Sequence, residues 1–250
     1  MVNFPYKSLM GSLTYASICT RPDISFATNK LSQFLENPSL THWKAAKRIL
    51  KYLKGTSDLG LTFQGSSSDM RLHVDLDCPS KKKKKKSISG YCVFFGNVVA
   101  LWGSKKQNSV ALSTTEAEYM ALAYGIKEVL WASNIINESG LHINKPIPTL
   151  NDNRAVVFMA TNSGSTKNAK HVDIKYHFVK DIMEQRDIIL EHCSSRDMVV
   201  DILTKPLDTH KFEKCRDMLA MSSRNMLEHP PCGGGLKHLF LSWMMLTSQN

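Results

Sequence analysis

Apolar and polar positions along the chain fall into blocks with two distinct periods. The longest block begins at Ser113-Thr114-Thr115-Glu116-Ala117-Glu118-Tyr119 and predicts a helix running to about Ser139, where Gly140 supplies the stop. Ser113 can cap it, with Glu116 reaching back to the cap's own amide. Glu118 has no such local use. At helical spacing it continues into Leu122, Gly125, Val129, Ala132 and Ile136, the stripe expected to face a core. A carboxylate heading a buried stripe is costly unless it meets a cation or a metal; the alternative is a rim residue that reaches water.

Ahead of this block, residues 1–64 read as mainly helical. Arg21-Pro22-Asp23 opens a helix to about Leu35, and Asn37-Pro38 breaks it. Thr41 to Lys54 predicts an amphipathic helix, with Trp43, Ala46, Ile49, Leu50 and Leu53 opposite Lys44, Lys47, Arg48, Lys51 and Lys54. That cationic face reads as a solvated surface or as a stripe tracking phosphates. Leu59 to Phe63 can start a strand. Gly65 to Asp69 is the expected domain boundary.

Beyond the boundary, Arg71 to Asp77 alternates strictly. Leu72, Val74 and Leu76 lie on one face and His73, Asp75 and Asp77 on the other. Ile88–Phe95 and Val98–Gly103, joined by Gly96-Asn97, extend it into an antiparallel meander. After the long helix come a strand at 147–150, helices at 153–160 and about 172–185, a strand at 188–192, and a helix from Ser195 or Arg196 through Leu203. Strands alternating with helices place residues 65–221 in the α/β class.

Composition narrows the picture. The 250 residues are 42% hydrophobic, enough for one core plus a subdomain. The net charge of +10 includes the run Lys81–Lys86, and the balance suits a polyanionic partner. Cys19, Cys78, Cys92, Cys193, Cys215 and Cys232 form no Cys-x-x-Cys pair and no zinc spacing, so they are expected to be reduced thiols of an intracellular protein, cytoplasmic or nuclear. The start lacks a secretory pattern, and the apolar run Leu236–Leu246 is too short for a membrane span, so neither secretion nor membrane insertion is expected.

The unexplained residues are acids. Asp75 stands on a strand, where Asp is depleted. Glu118 heads the apolar stripe. Asp152 ends the strand at 147–150, a place that suits a site or the cap of the next helix. Asp201 falls inside the last predicted helix. Four carboxylates drawn together from such elements suit two hard divalent cations, and two such ions about 4 Å apart are a known apparatus for phosphodiester hydrolysis.

The same residues sit in words that resemble the ribonuclease H domain of the Pol polyprotein of copia-type LTR retrotransposons. These are Asp75-Leu76-Asp77, Ser87-Ile88-Ser89-Gly90-Tyr91, Trp102 to Gln107, Ser113 to Tyr119, Asp152-Asn153, Lys170-His171-Val172-Asp173 and Asp201 to Leu207. Thr20 to Ile24, His42-Trp43, Ala45 to Arg48 and Tyr52 to Thr56 resemble the end of that family's reverse transcriptase. The resemblance implies a ribonuclease H-like mixed five-stranded sheet flanked by helices at 65–221. It implies a reverse-transcriptase remnant at 1–64 whose partners are the missing polymerase domains, with no polymerase activity expected. Residues 222–250 are an unmatched tail expected to be disordered. The implied activity is cleavage of the RNA strand of an RNA–DNA hybrid with two Mg²⁺ or Mn²⁺ ions. Asp75, Glu118, Asp152 and Asp201 fall on the family's metal-binding acids, with Asp77 in support. Lys105, Lys106, Lys170 and His171 are the expected phosphate contacts, His171 serving equally as a packing residue.

Two departures, with the truncated polymerase and the unmatched tail, leave an alternative open. Cys78-Pro79-Ser80 and the six lysines replace the family's mixed polar loop, and Val200 replaces a usual Ala. The alternative is a catalytically inactive remnant that at most binds nucleic acid.

Overall fold

The computed structural model describes residues 5–63, 69–77, 87–107, 114–161 and 170–223, with the side chains of 77, 114 and 170–174 outside that description. The chain divides into two compact units. One takes the residues up to Thr62 together with those from Met221 on; the other runs from Phe63 to Ala220.

The first unit contains α1 (Tyr6–Cys19), α2 (Ser25–Ser32) and α3 (Leu40–Gly55). It also holds a two-stranded sheet that pairs β1 (Leu59–Leu61) with the last strand, Met221–Ser223. Ser222 and Ser223, expected in the tail, are therefore strand residues of this unit, and 224–250 lie outside the described residues. Tyr6, Met10, Leu13, Ile24, Ala46 and Ile49 form its core. The helix expected from Arg21 to Leu35 begins instead as a single 3₁₀ turn, Pro22–Ile24, and α2 ends at Ser32. Arg21 explains that turn. Its guanidinium grips Asp23 in a bidentate pair at 3.0 and 2.8 Å and reaches Thr56 O and Oγ1 at 3.1 and 2.7 Å. Tyr52 donates to the same Asp23 at 2.6 Å. On α3 the cationic face is exposed as expected, but Leu50 is exposed with it.

The second unit is built on a five-stranded sheet. Its elements are β2 (Met70–Asp77), β3 (Ile88–Phe95), β4 (Val98–Lys106), α4 (Thr114–Glu138), β5 (Ile147–Asn151), α5 (Arg154–Thr161), α6 (Lys170–Glu184), β6 (Ile188–His192), α7 (Asp201–Thr204) and α8 (Thr209–Met218); Met221–Ser223 is β7. The sheet order is β4-β3-β2-β5-β6, antiparallel from β4 to β2 and parallel from β2 to β6. This is the mixed five-stranded sheet flanked by helices that the resemblance to a ribonuclease H domain implies. β2 lies at its centre, so Leu72 to Leu76 are all buried and the polar face of the strand is covered as well as the apolar one. α4 presses its stripe of Leu122, Gly125 and Val129 onto that strand. A Cβ at Gly125 would stand 2.5 Å from Val74 Cγ2, so only glycine permits the close approach.

The predicted helix at 195–203 is corrected. Residues 195–200 are mostly turns, and Asp201 opens the four-residue α7. Met198, Val199 and Val200 are fully buried, so their apolar run reports depth and not helical period. α8, which the apolar pattern does not announce, is capped by Asp208, whose side chain accepts from Lys211 N at 2.9 Å. The expected Ser113 cap and the Lys81–Lys86 run lie outside the described residues.

Candidate active site

The elements deliver the four acids to one end of the sheet. Asp75 comes from β2, Glu118 from the first turns of α4, Asp152 from just beyond β5, and Asp201 from the start of α7. Asp75 and Asp201 are each only 2% exposed. What allows α7 to come so close is Gly90. It pairs with Asp75 across β2 and β3, and a Cβ there would meet Thr204 Cγ2 at 2.6 Å and Val200 Cγ1 at 2.7 Å. With glycine in place, Thr204 donates its hydroxyl to Asp75 Oδ2 at 2.8 Å, and Ser104 holds Leu203 O at 2.6 Å.

Two lysines enter the cluster. The Lys205 ammonium bridges Asp75 Oδ2 at 3.0 Å and Asp201 Oδ1 at 2.9 Å, and Lys211 from α8 pairs with Asp201 Oδ2. Burial and the neighbouring Asp152 and Asp201 outweigh Lys205 and push Asp75 up to about 6. Burial works on Asp201 in the same sense, but the hydrogen bonds from Lys211 and Lys205 hold it below the usual carboxylate range. Burial pushes Glu118 up to about 7; a hydrogen bond with Asn153 opposes it, and the charges of Asp152 and Asp75 add to it. Glu118 Oε2 is buried without a hydrogen-bond partner.

Asp152 is left for the cluster because another residue caps α5. Asn153 Oδ1 accepts from Ala155 N at 2.8 Å and Val156 N at 3.4 Å. Asp152 instead accepts from Ser195 Oγ at 2.9 Å. His73, two residues before Asp75, is pushed down to about 4 by burial and is neutral at pH 7.

Every atom this cluster offers is a hard oxygen, the donor that Mg²⁺ and Mn²⁺ prefer. Glu118 Oε2 is a buried carboxylate oxygen with no hydrogen-bond partner, and Lys205 shows that a cation can sit between Asp75 and Asp201. The donor set therefore fits divalent ions. Among the described residues, no three or more acids, histidines or cysteines stand round one point as a finished metal cage.

The same unit has a cavity of about 420 Å³ whose walls include Lys105, Lys106, Lys127, Lys175, Tyr124 and Phe178. Lys105 stands 5.4 Å over the Tyr124 ring and Lys127 5.5 Å over Phe178. Lys105 and Lys106, expected from the sequence, are thus joined by Lys127 and Lys175, which were not. Lys170 and His171 begin α6, but their side chains lie outside the described residues. Lys205 and Lys211 were also missed. Lys205 was detectable, since it stands four residues after Asp201 in the quoted word; Lys211 had no signal.

No family model matches the chain. The chain is 38% identical over 223 residues to the retrovirus-related Pol polyprotein from transposon TNT 1-94 of Nicotiana tabacum, covering 89% of this chain and 17% of that one. It is 36% identical over 209 residues to the Pol polyprotein from transposon RE1 of Arabidopsis thaliana, covering 83% and 14%. It thus spans about one sixth of the length of these relatives. Among solved structures, the N-terminal RNase H domain of a Mycobacterium tuberculosis protein, fused to maltose-binding protein, overlaps 60% of this chain and 98% of that one. The TM-score is 0.43 and the identity 14%. No helix among the described residues is long and apolar enough to cross a membrane. Over most of its length the chain is homologous to a segment of the retrovirus-related Pol polyproteins of plant copia-type transposons.

Proposed function

We propose that the unit from Phe63 to Ala220 is a metal-dependent endonuclease that hydrolyses the RNA strand of an RNA–DNA hybrid. The observation that carries this reading is the meeting of Asp75, Glu118, Asp152 and Asp201 from four separate elements, close enough that their charges act on one another. These four would hold two divalent ions, Mg²⁺ or Mn²⁺. When bound, such ions activate a water for attack on the phosphorus and stabilise the leaving oxygen. The chain's own groups prepare for this. Thr204 fixes the orientation of Asp75, and Ser195 fixes that of Asp152. Lys105, Lys106, Lys127 and Lys175 supply positive charge for a phosphate backbone, over a floor of Tyr124 and Phe178. A hybrid gripped in this way is read by shape and 2′-hydroxyls with little dependence on base sequence. On the same reading, the helical unit up to Thr62 is the end of the polyprotein's reverse transcriptase, and the rest of that enzyme is its natural partner.

The test is cleavage of a hybrid labelled on each strand, with Mg²⁺, with Mn²⁺ and with chelator. Loss of the RNA strand with metal only, reduced by at least about 100-fold in Asp75→Asn, supports the proposal. A folded chain that binds the hybrid but leaves both strands intact contradicts it and favours a binding-only remnant.

A further inference from the structure

Lys205 occupies a place that the metal reading needs vacant. Its ammonium lies between Asp75 and Asp201, within 3.0 Å of both. Two buried carboxylates of like charge require a cation between them, and here the chain provides one. We propose that Lys205 is the site's internal counter-ion: it holds Asp75 and Asp201 together when no divalent ion is bound, and an incoming ion binds by displacing it. The inference rests on the metal reading above.

Three features make the exchange feasible. The Lys205 side chain is 30% exposed, against 3% and 2% for the two acids, so the ammonium has a path to water while the carboxylates stay in place. Lys205 is the C-cap of α7 and its backbone is already extended (φ −126°, ψ 151°), so swinging the side chain out breaks no helical hydrogen bond. The acids also keep partners after it leaves, since Thr204 stays on Asp75 Oδ2 and Lys211 on Asp201 Oδ2. Lys211 differs in this respect. Its ammonium also donates to Ser195 O at 2.9 Å, which anchors it to the loop that carries Asp152's partner.

The charge count agrees. Asp75, Glu118, Asp152 and Asp201 act on one another through their charges, and Lys205 and Lys211 pair with Asp75 and Asp201, so the cluster holds four acids and two cations. With both lysines in place and all four acids ionised, two negative charges remain, enough for one divalent ion. Releasing Lys205 raises the charge available and opens the space between Asp75 and Asp201.

The experiment uses the full chain and needs no turnover. Mn²⁺ binding is measured by calorimetry, and thermal melting is followed in chelator, for the wild type, Lys205→Met and Lys205→Arg. Methionine keeps the stem and removes the charge; arginine keeps the charge. The expected result is that Lys205→Met melts lower than the wild type in chelator yet binds Mn²⁺ tighter by about 10-fold. Lys205→Arg stays near the wild type in melting and does not bind tighter. A folded Lys205→Met that binds Mn²⁺ equally or more weakly overturns the inference and leaves the metal reading standing. Absence of Mn²⁺ binding in all three overturns both.

Discussion

Each unit of this protein buries a carboxylate against a cation, and the two arrangements differ in what is left unsatisfied. In the helical unit, Asp23 receives both arms of Arg21 and the hydroxyl of Tyr52, while Arg21 also reaches the carbonyl and hydroxyl of Thr56. Its side chains are 9% and 0% exposed. Burial alone would lower the Arg21 pKa, but the hydrogen bond and charge of Asp23 raise it. The charges in this cluster are matched one to one. In the α/β unit, four acids share two lysines, Asp75 and Glu118 are pushed up to about 6 and 7, and Glu118 Oε2 has no partner. Structural burial of charge ends in full pairing. Burial that leaves surplus negative charge costs folding free energy, and it makes sense where something else is to be bound. The family words therefore fall into two kinds. Thr20 to Ile24 and Tyr52 to Thr56 carry a fold-holding ion pair; Asp75 to Asp77 and Asp201 to Leu207 carry the candidate chemistry.

The largest effect that distinguishes them is on stability. Asp23→Ala strands a buried guanidinium and a tyrosine hydroxyl, and should cost the helical unit about 3–5 kcal/mol. Denaturant unfolding followed by tryptophan fluorescence measures this. A cost below about 1 kcal/mol would mean that the pair is not the structural one described here.

A smaller effect tests the packing that brings the acids together. Gly90→Ala places a methyl group against Thr204 and Val200, and overpacking of this kind costs about 1–3 kcal/mol. Because α7 carries Asp201 and Thr204, metal binding and cleavage should weaken in the same variant. An alanine variant of unchanged stability and activity would show that α7 has room to move.

Much of this was legible in the sequence, for identifiable reasons. The alternation at 71–77 and the stripe from Glu118 to Val129 reflect burial directly, so the central strand and long helix follow from pattern alone. Asp75, Glu118 and Asp201 stood out because each sits where its residue type is unfavourable. The lysines stood out less: a lysine's default is the surface, Lys205 was marked only by standing four residues after Asp201, and nothing local sets Lys211 apart from Lys44 or Lys51. Their role depends on partners 130 and 10 positions away in the chain, counting Lys205 to Asp75 and Lys211 to Asp201. The apolar run Met198 to Leu203 misled for a related reason: turns packed under a sheet are as hydrophobic as a helix face. Asp152 was ambiguous until the hydrogen bonds assigned the α5 cap to Asn153.

The central claim is that the surplus carboxylate charge serves function and works against stability, and Glu118→Gln tests it most directly. Glu118 titrates higher in the folded chain than its ordinary value, so the folded state holds the proton more firmly. In chelator, stability from this group is fully present at low pH and falls as pH rises from about 4.5 to about 7. Glutamine removes that loss. The account predicts that at pH 8 in chelator Glu118→Gln melts at or above the wild-type temperature, while metal-dependent cleavage of the hybrid is lost. The advantage in melting should vanish below about pH 4.5, where both side chains are neutral. A variant that cleaves like the wild type, or one that melts well below it at pH 8, would contradict the account.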